Sequence, residues 1–334
     1  MVLHTGDGVW VIVDSCGRED APAALDYLEN IGVDPCRAVA MIVATHWHDD
    51  HIRGLARMLH ECSNASFCCA GVLCNEEFLA RAHALECRHH ADFGSGLREM
   101  HRVFRKLADV QLTPTPAFAN RRVFAKGACH IWSLSPADDL YSDFLRALSR
   151  LLPQAGQPET RIRSLSPNEV AVVLRVEVSD IAVLLGSDLE RNGWLKIVQD
   201  PARPLGAASA FKVPHHGSDS ADEPRIWKEL LDPAPVAVLT PWRRGDRVLP
   251  SDDDARRILS KTETAYATAK VDVSGPARRA SVVERTIRQS GIRLRRSPKP
   301  GFVRLRRRIG SCTRWSVETS GSACHLKEYV QERQ

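Results

Sequence analysis

No stretch of this 334-residue chain approaches the roughly 18 apolar residues that a bilayer-spanning helix requires, so no membrane protein is expected. Residues Met1 to Asp7 lack a basic stretch followed by an apolar one. A secretory leader is therefore not expected, and a cytoplasmic location is the default. C-x-x-C pairs are also absent: Cys16, Cys36, Cys62, Cys68, Cys69, Cys74, Cys87, Cys129, Cys312 and Cys324 are scattered. Without a leader they read as reduced thiols rather than as a disulfide framework. The cluster Cys62 to Cys87, followed by His89 and His90, lacks the ligand spacing of a structural zinc site. It reads as small buried hydrophobes on a strand and a helix. No internal repeat is visible, which excludes a solenoid.

With 43% apolar and 26% charged residues, the chain can bury a core without disulfides and is not disordered. Its net charge of +5 is uneven. Between Arg278 and Arg308 twelve basic residues face one acid, Glu284, a local +11 that leaves the remainder at −6. An acidic body with a basic segment suits a polyanion, and nucleic acid is the partner expected for 278–308. Phe302 and Trp315 are the few aromatics there that could stack on bases, so sequence-neutral contact with phosphates is what the segment supports. A solvated tail or an acidic protein surface fits it as well, and the oligomeric state is not legible.

Apolar runs at Val9–Val13, Ala38–Ala44 and Ala65–Ala70 predict strands. A hairpin is predicted over Asn120–Leu134 and another over Glu169–Glu177 and Ile181–Leu185; short strands are predicted at Ala210–Val213 and Val236–Leu239. Helical spacing covers Pro22–Ile31, Ile52–Cys62, 75–108, Asp139–Leu152 and Ser251–Thr262, and Gln154–Arg163 reads as a polar loop. Phe302–Arg306 alternates as a strand with one basic face, and Trp315–Val317 as a further strand. Strands interspersed with helices, with ionisable residues at strand ends, predict an α/β protein of two sheets with helices outside them.

The strongest chemical signal is Thr45-His46-Trp47-His48-Asp49-Asp50-His51, where a buried strand delivers the chain into a helix. His46 and His48, at i and i+2, can point the same way from an extended loop, and Asp50 and His51 follow at the turn. Such a loop can offer two ligands to each of two adjacent metals. Imidazole with carboxylate, and no thiolate, suits zinc, manganese or iron.

His46-x-His48-x-Asp50-His51-x-x-Gly54 resembles the H-x-H-x-D-H-x-x-G signature of the metallo-β-lactamase superfamily. Val183-Leu-Leu-Gly-Ser-Asp188 resembles its strand leading to a metal-bridging aspartate. Phe211-Lys-Val-Pro-His215-His216-Gly-Ser218 resembles its last histidine segment in the HHGS form of ComEC-like proteins. Val9–Gly17 is similar to the opening strand and turn, and Ala265–Ala269 to the closing strand. The resemblance covers roughly residues 1–270 and implies a four-layer αββα fold, two packed mixed sheets flanked by helices. A hydrolase domain over 1–275 would then precede a basic C-terminal extension over 276–334.

The resemblance further implies that His46 and His48 hold one metal, that Asp50 and His51 hold a second, and that Asp188 bridges both. One of His215 and His216 completes the second site and the other contacts substrate. Two divalent ions are implied, zinc foremost, with manganese the alternative. A water bridging two cations ionises near neutral pH, and Asp50 can orient it and take its proton. The expected activity is that of a metal-dependent hydrolase, a phosphodiesterase or nuclease. Hydrolysis of a small ester, lactone or phosphocholine-type substrate is the alternative, and a catalytically weak binding module the second. The third histidine that many members supply to the first metal has no counterpart: His60, His83, His89, His90 and His101 fall in helical stretches, and His130 opens a strand. Ser166-Pro-Asn168-Glu169 occupies that place.

Overall fold

The computed structural model describes residues 1–15, 22–74, 95–149, 166–270, 301–311 and 314–331. Cys16, Cys87, Cys312, His83, His89, His90, the loop over 154–163 and basic residues 278–299 lie outside the described residues. The chain divides into two compact units, one of residues 1–215 with 220–233, the other of 216–219 with 234–334.

In the first unit, five strands order as β1 (Val2–His4), β2 (Trp10–Val13), β3 (Val39–Ala44), β4 (Ser66–Ala70) and β5 (Thr115–Ala117). Only the β1–β2 pair is antiparallel. The second sheet and the helices packed on the first bury both faces of β3 and β4, which is why Val-Ala-Met-Ile-Val-Ala and Ser-Phe-Cys-Cys-Ala run apolar instead of alternating. The second set of strands is β6 (Arg121–Lys126), β7 (Cys129–Ser133), β8 (Leu174–Val178), β9 (Ile181–Leu185) and β10 (Ala208–Lys212). It is antiparallel up to β9 and parallel between β9 and β10. Its outermost strand β6 carries Arg121, Arg122 and Lys126, charges that discourage edge pairing.

One core joins the two sheets: Val11, Ile42, Val43 and Phe67 of the first share it with Ile131, Leu174, Val176 and Leu185 of the second. Helices cover both sheets. Leu25 and Leu28 of α1 (Ala23–Asn30), Leu55 and Met58 of α3 (Leu55–Glu61) and Met100 and Val103 of α4 (Ser95–Asp109) are buried in that core. Phe144 of α5 (Asp138–Ser149) joins them, and Trp194 of α6 (Arg191–Gln199) meets Phe211 of β10 edge-on at 6.2 Å. Mixed sheets with flanking helices make this the α/β architecture expected of a metallo-β-lactamase fold. Among the described residues no helix is long and apolar enough to cross a membrane.

Two predicted elements shift. The helix foreseen over Ile52–Cys62 splits into α2 (Asp49–Ile52) and α3, because Gly54 sits between them at φ 85°, a left-handed conformation that glycine adopts without strain. The strand foreseen from Glu169 begins only at Leu174. Pro167–Val170 form a single 3-10 turn instead, and the Val172 and Val173 N–H groups donate to Thr45 O and Ser135 Oγ.

The second unit holds β11 (Leu231–Leu239, of which 234–239 belong here), β14 (Ala265–Ala267) and β17 (Cys324–His325), with the hairpins β12–β13 (Trp242–Arg244, Arg247–Leu249) and β15–β16 (Phe302–Arg306, Ser316–Ser320). Helix α7 (Asp252–Leu259) starts on a reciprocal Ser251–Asp254 capping box. The chain beyond residue 300 is anchored within this unit: Tyr266 and Ala267 pair with His325 and Cys324, and Tyr329 of α8 (Leu326–Gln331) is buried with its hydroxyl near Pro250 O. Arg304 of the basic strand is paired with Glu318 at 3.0 Å and lies over Phe302.

Candidate metal centre

Three strand ends of the first unit build the centre. β3 ends at Ala44 and releases Thr45-His46-Trp47-His48. β2 ends at Val13 and presents Asp14 at φ 56°. β9 ends at Leu185 and presents Asp188 after Ser187 at φ 48°. Positive φ at two non-glycine residues is the kind of backbone strain that folds concentrate at functional sites.

The loop after β3 is held rigidly. Ser15 Oγ donates to the carbonyls of His51 and Arg53 at 3.0 and 2.6 Å. Trp47 is buried with its ring edge-on to Phe144 at 5.6 Å. Gly96, in the first turn of α4, approaches so closely that a Cβ there would meet Trp47 O at 1.9 Å. Any larger residue at 96 would push α4 off the loop.

Hydrogen bonds fix the imidazole tautomers. Thr45 Oγ1 donates to Asp14 Oδ2 at 2.8 Å, so it accepts from His46 Nδ1–H at 3.0 Å. That leaves the His46 lone pair on Nε2. Burial, reinforced by neighbouring His51, pushes the His46 pKa down to about 3, so this ring is neutral and ready to ligate. His46 Nε2 lies 3.1 Å from His48 Nδ1 and 4.0 Å from Asp188 Oδ2. Ligand atoms of His46, His48 and Asp188 all fall within 4.8 Å of one another. Ligands at the ~2.0–2.1 Å typical of zinc stand roughly 3.3 Å apart around a tetrahedron, so the spacing fits a cation. Burial lowers His48 as well, against Asp50 and Asp188.

His51 is the counterpart. Its Nδ1 donates to Asp14 Oδ2 at 2.7 Å and its Nε2 lies 3.3 Å from Asp188 Oδ1. Burial opposes its charge, but Asp188 and then Asp14 outweigh burial and hold its pKa well above 6.5. The two oxygens of Asp188 thus face two imidazoles, Oδ2 toward His46 and Oδ1 toward His51. Asp50 is exposed on α2.

His215 is anchored through its N–H to Ser187 O at 3.0 Å. Its ring contacts Ser220 Oγ at 3.1 Å through Nδ1 and Asn168 Nδ2 at 3.5 Å through Nε2. Asn168 is buried, and its Oδ1 has no hydrogen-bond partner among the described residues. His216 belongs to the second unit. There its Nδ1 donates to Thr240 O at 2.8 Å, which puts the lone pair on Nε2, and its ring stacks near Trp242. His60 sits on α3 with Nδ1 3.1 Å from Lys106 Nζ, and His130 lies within β7.

The residue that sequence reasoning missed is Asp14. It was legible only as a strand-ending turn; its role emerges because β2 and β3 are adjacent, which brings residue 14 beside residues 45 and 51. Carboxylate–imidazole contacts of this kind are worth about 10–100-fold in metal affinity. Asp14→Asn keeps an acceptor for the Thr45 N–H but removes the charge facing His51. Zinc affinity, measured by competition with a chromogenic chelator, should fall by about that factor. An unchanged affinity would show that Asp14 merely supports the loop.

A model of the metallo-β-lactamase superfamily matches residues 1–126. No curated protein matches the sequence. Among solved structures, a metallo-β-lactamase with a HARLDQ motif from Cronobacter sakazakii is 16% identical, with 61% of this chain and 60% of that one covered and a TM-score of 0.32. Zn(2+)-bound PqqB from Methylobacterium extorquens is 12% identical, covering 63% and 57%, with a TM-score of 0.33. The metallo-β-lactamase fold protein YhfI from Bacillus subtilis is 12% identical, covering 63% and 61%, with a TM-score of 0.30. The chain thus spans about 60% of the length of these structures. The matched stretch of residues 1–126 contains Asp14, His46, His48, Asp50 and His51.

Proposed function

We propose that this protein is a metal-dependent hydrolase acting on phosphodiesters, with nucleic acid or a nucleotide as substrate. The observation that carries the metal chemistry is Asp188, whose two oxygens face His46 and His51 separately. His46, His48 and Asp188 would hold one divalent ion. Asp50, His51 and Asp188 would hold a second. Imidazoles and carboxylates without thiolate suit zinc, with manganese as the alternative. Bound divalent ions supply Lewis acidity, making water more acidic and stabilising negative charge on the substrate.

The chain's own groups do the rest. Exposed Asp50 orients the attacking water and accepts its proton. His215, whose ring contacts Asn168 and Ser220, faces the substrate and serves the leaving group. Asn168 Oδ1, without a hydrogen-bond partner among the described residues, offers an acceptor at the place where the third histidine of many relatives would stand. The HHGS form of residues 215–218 and the basic segment 278–308 favour a phosphodiester over a small ester or lactone, because clustered arginines neutralise phosphates.

Metal analysis beside an activity panel tests this reading. Protein stripped with a chelator should be inactive. Zinc or manganese should restore cleavage of DNA, RNA or bis(p-nitrophenyl) phosphate, with nucleic-acid cleavage falling steeply as salt rises. Fully metal-loaded protein that opens a lactone and leaves every phosphodiester intact would sink the proposal.

A further inference from the structure

β4 carries adjacent cysteines at its end, and the chain returns a third after one 3-10 turn, Gly71–Cys74. Cys69 Sγ and Cys74 Sγ are 3.5 Å apart, in direct thiol–thiol contact. Their surroundings differ. Cys69 is fully buried in a strand paired on both sides, to Ala44 of β3 and Pro116 of β5. Cys74 ends the turn and is partly exposed. A protected thiol held against an accessible one is the arrangement of a resolving and an attacking cysteine.

We propose that Cys74 and Cys69 form a redox modification site that closes to an intramolecular disulfide on reaction with a low-molecular-weight disulfide. The Cys74 thiolate attacks one sulfur of glutathione disulfide, whose S–S bond breaks. One glutathione leaves as thiolate and takes up the proton that Cys74 lost. Cys69 Sγ then gives up its proton and attacks the Cys74 sulfur, displacing the second glutathione, which leaves as a thiol. Two protein thiols are oxidised by two electrons, and one glutathione disulfide is reduced to two glutathiones.

Electrostatics run the same way as geometry. The hydrogen bond from Cys69 lowers the Cys74 pKa below that of an ordinary thiol, and the same contact, with burial, raises Cys69 well above it. Cys68 adjoins Cys69 in an extended strand, so their side chains leave opposite faces of the sheet, and burial pushes the Cys68 thiol up to about 12. A bond between residues 69 and 74 would close a short loop and staple the turn to β4, one strand from the loop that carries His46.

The test uses the full-length protein, folded, exposed to glutathione disulfide and then acid-quenched. Mass spectrometry of the intact chain should show the loss of two hydrogens and no retained glutathione. Thiol titration after denaturation should find two fewer thiols, restored by dithiothreitol. Residues 58–81 form one tryptic peptide containing Cys62, Cys68, Cys69 and Cys74, and fragmentation should place the link between 69 and 74. Cys69→Ala should leave a persistent glutathione adduct on Cys74, Cys74→Ser should leave no change, and Cys68→Ser should behave as the parent. Circular dichroism checks that each variant is folded. A persistent adduct on the parent chain, a link through Cys62 or Cys68, or no thiol loss would each overturn the proposal.

Discussion

Asp188→Ala is expected to lower hydrolysis by on the order of 10³-fold, several kcal/mol of transition-state stabilisation, and to leave at most one ion bound. The carboxylate is nearly inaccessible, and its two oxygens face His46 at 4.0 Å and His51 at 3.3 Å. Asp14, the other carboxylate near both rings, meets His51 at Nδ1 and reaches His46 only through Thr45. Removal of Asp188 therefore subtracts a ligand from each proposed site and leaves the pair of cations without the negative charge between them. Asp188→Asn sharpens the measurement, because it preserves shape while removing the charge. Both variants should keep the circular dichroism spectrum of the parent, since the residue sits in a strand-end turn rather than inside β9. Undiminished metal content with undiminished turnover in Asp188→Ala would end the dinuclear reading.

Phe67→Ala should destabilise the protein by about 3–5 kcal/mol, the range for deleting a buried aromatic ring. Phe67 has no exposed surface, lies in β4 opposite Ile42 of β3, and belongs to the core shared by both sheets. The loss combines transfer of the ring to water with a cavity that parallel strands on either side cannot collapse. Denaturant titration should show a lower midpoint at similar slope. A change below about 1 kcal/mol would mean that the first sheet relaxes around the gap, contrary to close packing in such cores.

Much of the candidate centre was legible because its proposed ligands lie close together in sequence or end a plainly apolar strand. His46, His48 and His51 fall within six residues, and β9 reads directly into Asp188. What remained hidden depends on neighbours remote in the chain. Asp14 matters because β2 pairs with β3, a pairing that leaves no trace in local composition. The break at Gly54 was readable in principle, since a glycine two residues past Ile52 could end a helical turn, but the apolar spacing from Ile52 to Leu59 masked it. The apolar run from Val170 to Val173 mimicked strand sequence, yet its N–H groups bond to Thr45 and Ser135 rather than to a ladder. β5 was overlooked because Pro116 argues against a strand; at the sheet's edge a missing N–H is tolerated.

Asp14 reaches both halves of the centre, His51 directly and His46 through the Thr45 hydroxyl. The decapeptide from Thr45 to Gly54 is consequently not a portable module. Grafted onto a foreign scaffold it would carry the donor atoms of His46, His48, Asp50 and His51 but no partner to choose which nitrogen of each ring bears the hydrogen. A designer who wishes to transplant this chemistry must import the end of the adjoining strand together with it.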